Sequence, residues 1–137
     1  MRRRRGFTLV DVLITVIIVG VLASVVIPKF QDAQVRARYA ARAALIDIYN
    51  RATARYQTDT DLFPTSLDDL AATSAPPNGL LPSGVRVPLR AVLWHGPYVS
   101  AVQSDPVTGQ PFVYMTSGSA IGTTQPPPET AIEMAVQ

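Results

Sequence analysis

The sequence predicts an α+β chain, with one long N-terminal helix followed by a small head that mixes a short helix with short strands. Three observations carry this. From Phe7 to Ile27 the 137-residue chain runs for 21 residues with a single charge, Asp11. From Lys29 to Tyr56 it is rich in alanine and free of glycine and proline, which favours helix. From residue 57 onward, prolines and glycines cut the chain into short β-branched and aromatic runs, the pattern of turns and strands.

The N-terminal run follows Arg2-Arg3-Arg4-Arg5-Gly6. A helix over Phe7–Ile27 covers about 32 Å, the thickness of a bilayer core. The arginines mark its cytoplasmic end, because basic flanks stay inside. An ordinary secretory signal is the alternative: a cut after Val21-Leu22-Ala23 would release a soluble binding domain beginning at Ser24. Against it, the apolar run continues through Val25, Val26 and Ile27. A plain signal also has no use for Asp11, since an acid costs on the order of 3 kcal/mol at mid-bilayer and less near an end.

The basic leader, Gly6, Phe7, the Thr8-Leu9-Val10 run, Asp11, Gly20 and Pro28 together resemble the N-terminus of the type IV pilin and type II secretion pseudopilin superfamily. The resemblance implies a pilin-like α+β fold, a long hydrophobic helix packed on a small antiparallel sheet. It implies a leader over residues 1–6, a transmembrane and filament-core helix over 7–28, an amphipathic continuation over 29–56 and a head over 57–137. A prepilin peptidase would cut between Gly6 and Phe7 and then methylate the new N-terminus at Phe7. The subunit would cross the bacterial inner membrane once, N-terminus cytoplasmic and head outside, before joining itself and other pseudopilins in a helical filament. The family usually carries glutamate where this chain has Asp11.

Asp11 has two readings. An acid in a first helical turn is favoured by the helix dipole by roughly 0.3–1 kcal/mol. The resemblance implies more: Asp11 would pair with the amine of Phe7 on a neighbouring subunit, neutralising two charges in an apolar core. Gly20 and Pro28 interrupt a strong helical segment, and proline removes a backbone hydrogen bond. Pro28 can mark the membrane exit with a gentle kink, or the stretch can bend or melt when subunits pack; the two are compatible.

The helix over Phe7–Tyr56 would be about 75 Å long. Ala33, Ala37, Ala40, Ala41, Ala44, Leu45, Ile48 and Ala52 recur at helical spacing and make one apolar face, expected to carry the core of the head. Its small alanines equally suit close helix–helix approach. Residues 29–56 carry six basic and two acidic residues, and residues 57–137 carry two basic and seven acidic. Such a basic stalk and acidic head suit contacts between neighbours, or simply a solvated surface. The whole chain is +2, but without residues 1–6 it is −2. The basic excess therefore belongs to the leader and is no sign of nucleic-acid binding.

In the head, Phe63-Pro64-Thr65-Ser66-Leu67-Asp68-Asp69-Leu70 reads as a short helix capped by Thr65, with Asp68 near its positive end. Residues 75–84 read as loop, Val85–Trp94 as an edge strand because of Pro88, and Phe112–Met115 as a strand. Thr130–Val136 alternates and suits a last strand. The Phe63–Leu70 segment, and more loosely Gly96-Pro97-Tyr98, Asp105-Pro106 and Pro111-Phe112-Val113-Tyr114, resemble the head of the major pseudopilin of type II secretion. Its relatives carry an acidic calcium loop after the position of Met115. Residues 116–128 here hold no acid, so no calcium site of that kind is expected.

Enzyme readings are weak. There is no cysteine, which excludes thiolate sites and disulfides. His95, Ser100 and Asp105 supply the residue types of a serine triad, but no nucleophile elbow surrounds Ser100. Asp59, Asp61, Asp68 and Asp69 lack the alternating spacing of a metal loop and suit capping. No cofactor, metal or catalytic residue is expected.

Overall fold

A computed structural model describes residues 9–120 and 122–128. The expectations for Gly6 and Phe7, and for a strand at Thr130–Val136, lie outside those residues. The chain divides into two compact units, one reaching to Ala37 and one beginning at Arg38. A single helix, α1 (Leu9–Thr60), is 52 residues long and supplies both. It runs four residues beyond the expected end at Tyr56, so Thr58–Thr60 form its last turn. Asp61 stops it in the left-handed region at φ 58, and its N–H still reaches Gln57 O at 2.8 Å. Thr60 Oγ1 donates to Tyr56 O at 2.7 Å and closes the end.

The second unit is organised on one face of α1. Tyr49, Ala52 and Tyr56 are buried there, with Leu45 and Ile46 packed at the margin. Leu62, Leu67, Leu70, Leu89 and Phe112 from the head complete the core. This corrects the expected stripe: Ala33, Ala37, Ala40, Ala41, Ala44 and Ile48 are exposed, while Leu45 is half-buried and Ala52 buried. The buried face begins one residue later, about 100° round the helix. The reason is volume. A small head needs large side chains to fill its core, and the tyrosines supply what alanines cannot. Tyr49 meets Phe112 edge-on at 5.6 Å, and Tyr56 meets Tyr98 at 5.4 Å.

The short helix is α2 (Asp68–Ala71), and its buried residue is Leu70. Thr65 does not cap it, and Asp68 is not the partner. The carboxylate of Asp69 instead reaches back, accepting from Thr65 N at 2.7 Å, Thr65 Oγ1 at 2.6 Å and Ser66 N at 3.2 Å. Leu70 O then accepts from Tyr98 N and Val99 N at 2.8 and 3.1 Å, which docks the aromatic segment on α2.

The strands form two separate two-stranded antiparallel sheets. In the first, β1 (Asn78–Leu80) pairs with β2 (Arg86–Pro88), Gly79 opposite Val87. Phe63 bridges the other edge of β1 at Leu80 with bonds of 2.8 and 2.7 Å. The expected loop at 75–84 thus hides β1. Its Asn-Gly pair is not a turn: Gly79 is required because a Cβ there would come within 2.9 Å of Leu62. The expected strand at Val85–Trp94 shrinks to β2, ended by Pro88, and Ala91–Leu93 is a 3-10 turn. In the second sheet, β3 (Val113–Tyr114) pairs with β4 (Thr124–Gln125).

An ion pair fastens the loop before β3 to α1. Arg42 is buried; its Nε donates to Asp105 Oδ1 at 2.9 Å and its Nη2 to Oδ2 at 2.6 Å. Val107 N and Thr108 Oγ1 add bonds to the same carboxylate at 3.1 and 2.8 Å. The Arg42 guanidinium also lies 5.2 Å from the centre of the Tyr39 ring. Burial alone would raise the Asp105 pKa, but the Arg42 bonds, the donors of Val107 and Thr108 and the Arg42 charge together lower it from 3.8 to about 2. Because the folded value is depressed, this stabilisation is fully present above the unfolded value and fades as pH falls through about 2. Asp105→Asn should cost about 3–5 kcal/mol at neutral pH, since it removes the opposite charge that compensates a buried guanidinium. Unfolding of the full chain in detergent should show that gap narrowing by on the order of 2 kcal/mol between pH 5 and pH 2. A gap constant with pH would remove the ion pair from the account.

Candidate assembly surface

The described residues of the first unit offer a surface. Leu9, Val16, Val21 and Phe30 are 83, 63, 62 and 62% exposed, and Leu13, Ile14, Ile17, Ile18, Val19, Leu22 and Val26 are exposed with them. These residues lie on every side of α1, so no single packing partner within the chain could cover them. A helix apolar all round belongs in lipid or in a protein core. The stretch is long and apolar enough to cross a membrane. Its two hydroxyls already suit such a place. Thr15 Oγ1 donates to Asp11 O at 2.5 Å and Ser24 Oγ to Val21 O at 2.7 Å, so both are satisfied within the helix.

Asp11 stands in the first turn of α1 and is exposed. It is the one ionisable group between Leu9 and Pro28. Gly20 lies inside α1, and a Cβ on it would meet nothing within 4 Å. Pro28 also falls inside α1. The structure brings none of these residues together. They are spread along one helix, as expected of a surface that becomes a site only against another molecule. Gly6 and Phe7 lie outside the described residues.

In the head, the polar residues that the sequence singled out are held in structural bonds. Asp105 spends both oxygens on Arg42, Val107 and Thr108. His95 is exposed, its Nδ1 2.9 Å from Leu93 O and 3.9 Å from Asp59 Oδ2. Asp59 accepts from Tyr98 OH at 2.9 Å, Asp69 holds the turn before α2, and Asp61 ends α1. Among the described residues no group of three or more His, Cys, Asp or Glu side chains could hold a metal. Burial pushes the Tyr56 hydroxyl up to about 12, with the Asp69 and Tyr98 charges adding to the shift, so it is neutral and structural. Arg42 and Asn50 are the positions that sequence reasoning passed over. Each is a polar residue on the buried face of α1, and a hydrophobic periodicity does not register them.

Residues 1–27 match the family described as "Prokaryotic N-terminal methylation motif". The chain is 29% identical over 118 residues to the type II secretion system core protein G of Vibrio cholerae, covering 86% of this chain and 75% of that protein. It is 28% identical over 116 residues to the protein of the same name from Escherichia coli K12, covering 85% and 74%. It is 30% identical over 77 residues to the type IV major pilin protein PilE1 of Neisseria gonorrhoeae, covering 56% and 46%. No solved structure matches significantly. With an uncovered apolar helix behind that motif and an α+β head beyond it, the chain is a homologue of the type II secretion core protein G and of the type IV pilins.

Proposed function

We propose that this chain is a structural subunit of a pseudopilus, the filament of type II protein secretion. The observation that carries the reading is the apolar surface of α1 from Leu9 to Phe30, which the chain itself does not cover. In the membrane, lipid covers it; in a filament, the same surface on neighbouring copies does. The similarity to core protein G extends over most of this chain, whereas that to the gonococcal pilin covers 56% of it, which favours secretion over a surface pilus. An ordinary signal peptide would leave the methylation motif without a purpose.

In this reading the peptidase cuts between Gly6 and Phe7, and the mature subunit begins at a methylated Phe7. The subunit waits in the inner membrane with its head outside the cytoplasm. On assembly, the carboxylate of Asp11 meets the Phe7 amine of a neighbour, so neither charge enters the filament core alone. Gly20 and Pro28 provide the stretch that yields as helices pack. Other pseudopilins are the partners, and the role is mechanical rather than catalytic.

Asp11→Ala tests the pairing. Insertion and cleavage should persist, because an acid is removed from an apolar span and the cut site is unchanged. Filaments should fall at least about tenfold, since an unpaired buried charge costs several kcal/mol. Asp11→Glu should assemble normally. Sheared or cross-linked filaments, scored beside membrane insertion, give the answer; normal filaments from Asp11→Ala would leave Asp11 as a helix-start residue only.

A further inference from the structure

We infer that the side chain of Asn50 is a metal-independent latch that holds the hairpin around β3 and β4 on α1, in the place where related major pseudopilins use calcium. The expectation of calcium rests on the filament-subunit reading; the latch rests on geometry alone.

The donor set does not fit calcium. That ion takes six to eight oxygens and usually draws on carboxylates. Residues 116–128 contain none. Two of their backbone oxygens, those of Ala120 and Thr123, are also engaged in closing the hairpin, as is Met115 O just before them. Met115 O accepts from Gly122 N at 2.9 Å, Thr123 O accepts from Met115 N at 3.0 Å, and Ala120 O accepts from Thr123 N at 3.1 Å. Thr123 Oγ1 adds a second bond to Ala120 O at 2.7 Å.

What fastens the closed hairpin to the helix is Asn50. Its Oδ1 accepts from Thr124 N at 2.8 Å, across 74 positions of sequence. Thr124 is 4% exposed, so without Asn50 its N–H would lose its partner where little water can replace it. Asparagine is a poor helix former, and its place on the buried side of α1 is explained by this bond. Two residues earlier in the hairpin, Gly122 is buried at φ 81 against the Phe63 ring, where a Cβ would overlap the ring carbons. Close approach at Gly122 and the bond at Thr124 together seat the hairpin, and neither step involves a cation.

The test uses the full chain in detergent, with excess calcium or excess chelator. Melting is followed by the fluorescence of Trp94, which packs against the core, and hydrogen exchange is read at the Thr124 amide. Wild-type melting temperature and Thr124 protection should be the same in both buffers. Asn50→Ala should speed Thr124 exchange by roughly tenfold or more in either buffer, and Asn50→Asp, which keeps an acceptor oxygen, should retain the protection. A calcium-dependent rise in wild-type melting temperature would overturn the inference, as would unchanged Thr124 exchange in Asn50→Ala. Should Asn50→Ala fail to fold, loss of Thr124 protection in Asn50→Asp overturns it as well. None of these outcomes depends on whether filaments form.

Discussion

A helix that is apolar on every side cannot stay in water, and this chain depends on that constraint. Each fully exposed Val, Leu or Ile forgoes roughly 1.5–3 kcal/mol relative to a buried one. More than ten such side chains stand exposed between Leu9 and Val26. The stretch therefore requires an external cover, and lipid and like helices are the two that match it. In the proposed assembly, the single acid sets how the exchange between them is registered. In lipid, Asp11 sits at the helix start, where the dipole and nearby headgroups help it. Among packed helices only an opposite charge can, and the amine of Phe7 on a neighbour is the one the proposal assigns.

The head faces the opposite problem. It has no cysteine to staple it and only short strands, so its apolar core is small. Polar anchors reaching α1 make up for this. Arg42 holds the loop at Asp105, and Asn50 holds the hairpin at Thr124. Asp69 shapes the turn that leads into α2. Bonds of this kind are directional, and they fix which loop lies where more than they add bulk stability. Their cost is sensitivity: removing one partner takes a bond from a buried group that little water can replace.

Much of this was legible in the sequence because it rests on strong local signals. An apolar run of 21 residues, its single acid and the motif around Gly6 leave few alternatives. The strand near Tyr114 was readable from β-branching, but the short helix expected over Phe63–Leu70 shrinks to Asp68–Ala71, because Phe63 is drawn into a bridge with Leu80. The rest depended on tertiary contacts. Alanines at helical spacing defined a face of α1, but the buried face is the adjacent one, because a small core selects Tyr49 and Tyr56 for their volume. Asn78-Gly79 has the look of a turn and is a strand, because the glycine makes room for Leu62. Thr65 and Asp68 matched a capping pattern, yet Asp69 takes the bonds. Asp105 opens the turn over residues 106–108, while its partner Arg42 stands 63 positions away and no local pattern connects them. Gly6, Phe7 and Asp11 belong to a different category, since the roles proposed for them would be exercised against a peptidase or a second subunit.

The processed N-terminus is the most direct test of the whole account. Mass spectrometry of the N-terminal peptide from the membrane-bound protein, made in a cell with a prepilin peptidase, should find a chain beginning at Phe7 and carrying one added methyl group on its amine. A mature chain beginning at Ser24, or one retaining Met1 through Gly6 in that cell, would contradict the filament-subunit reading.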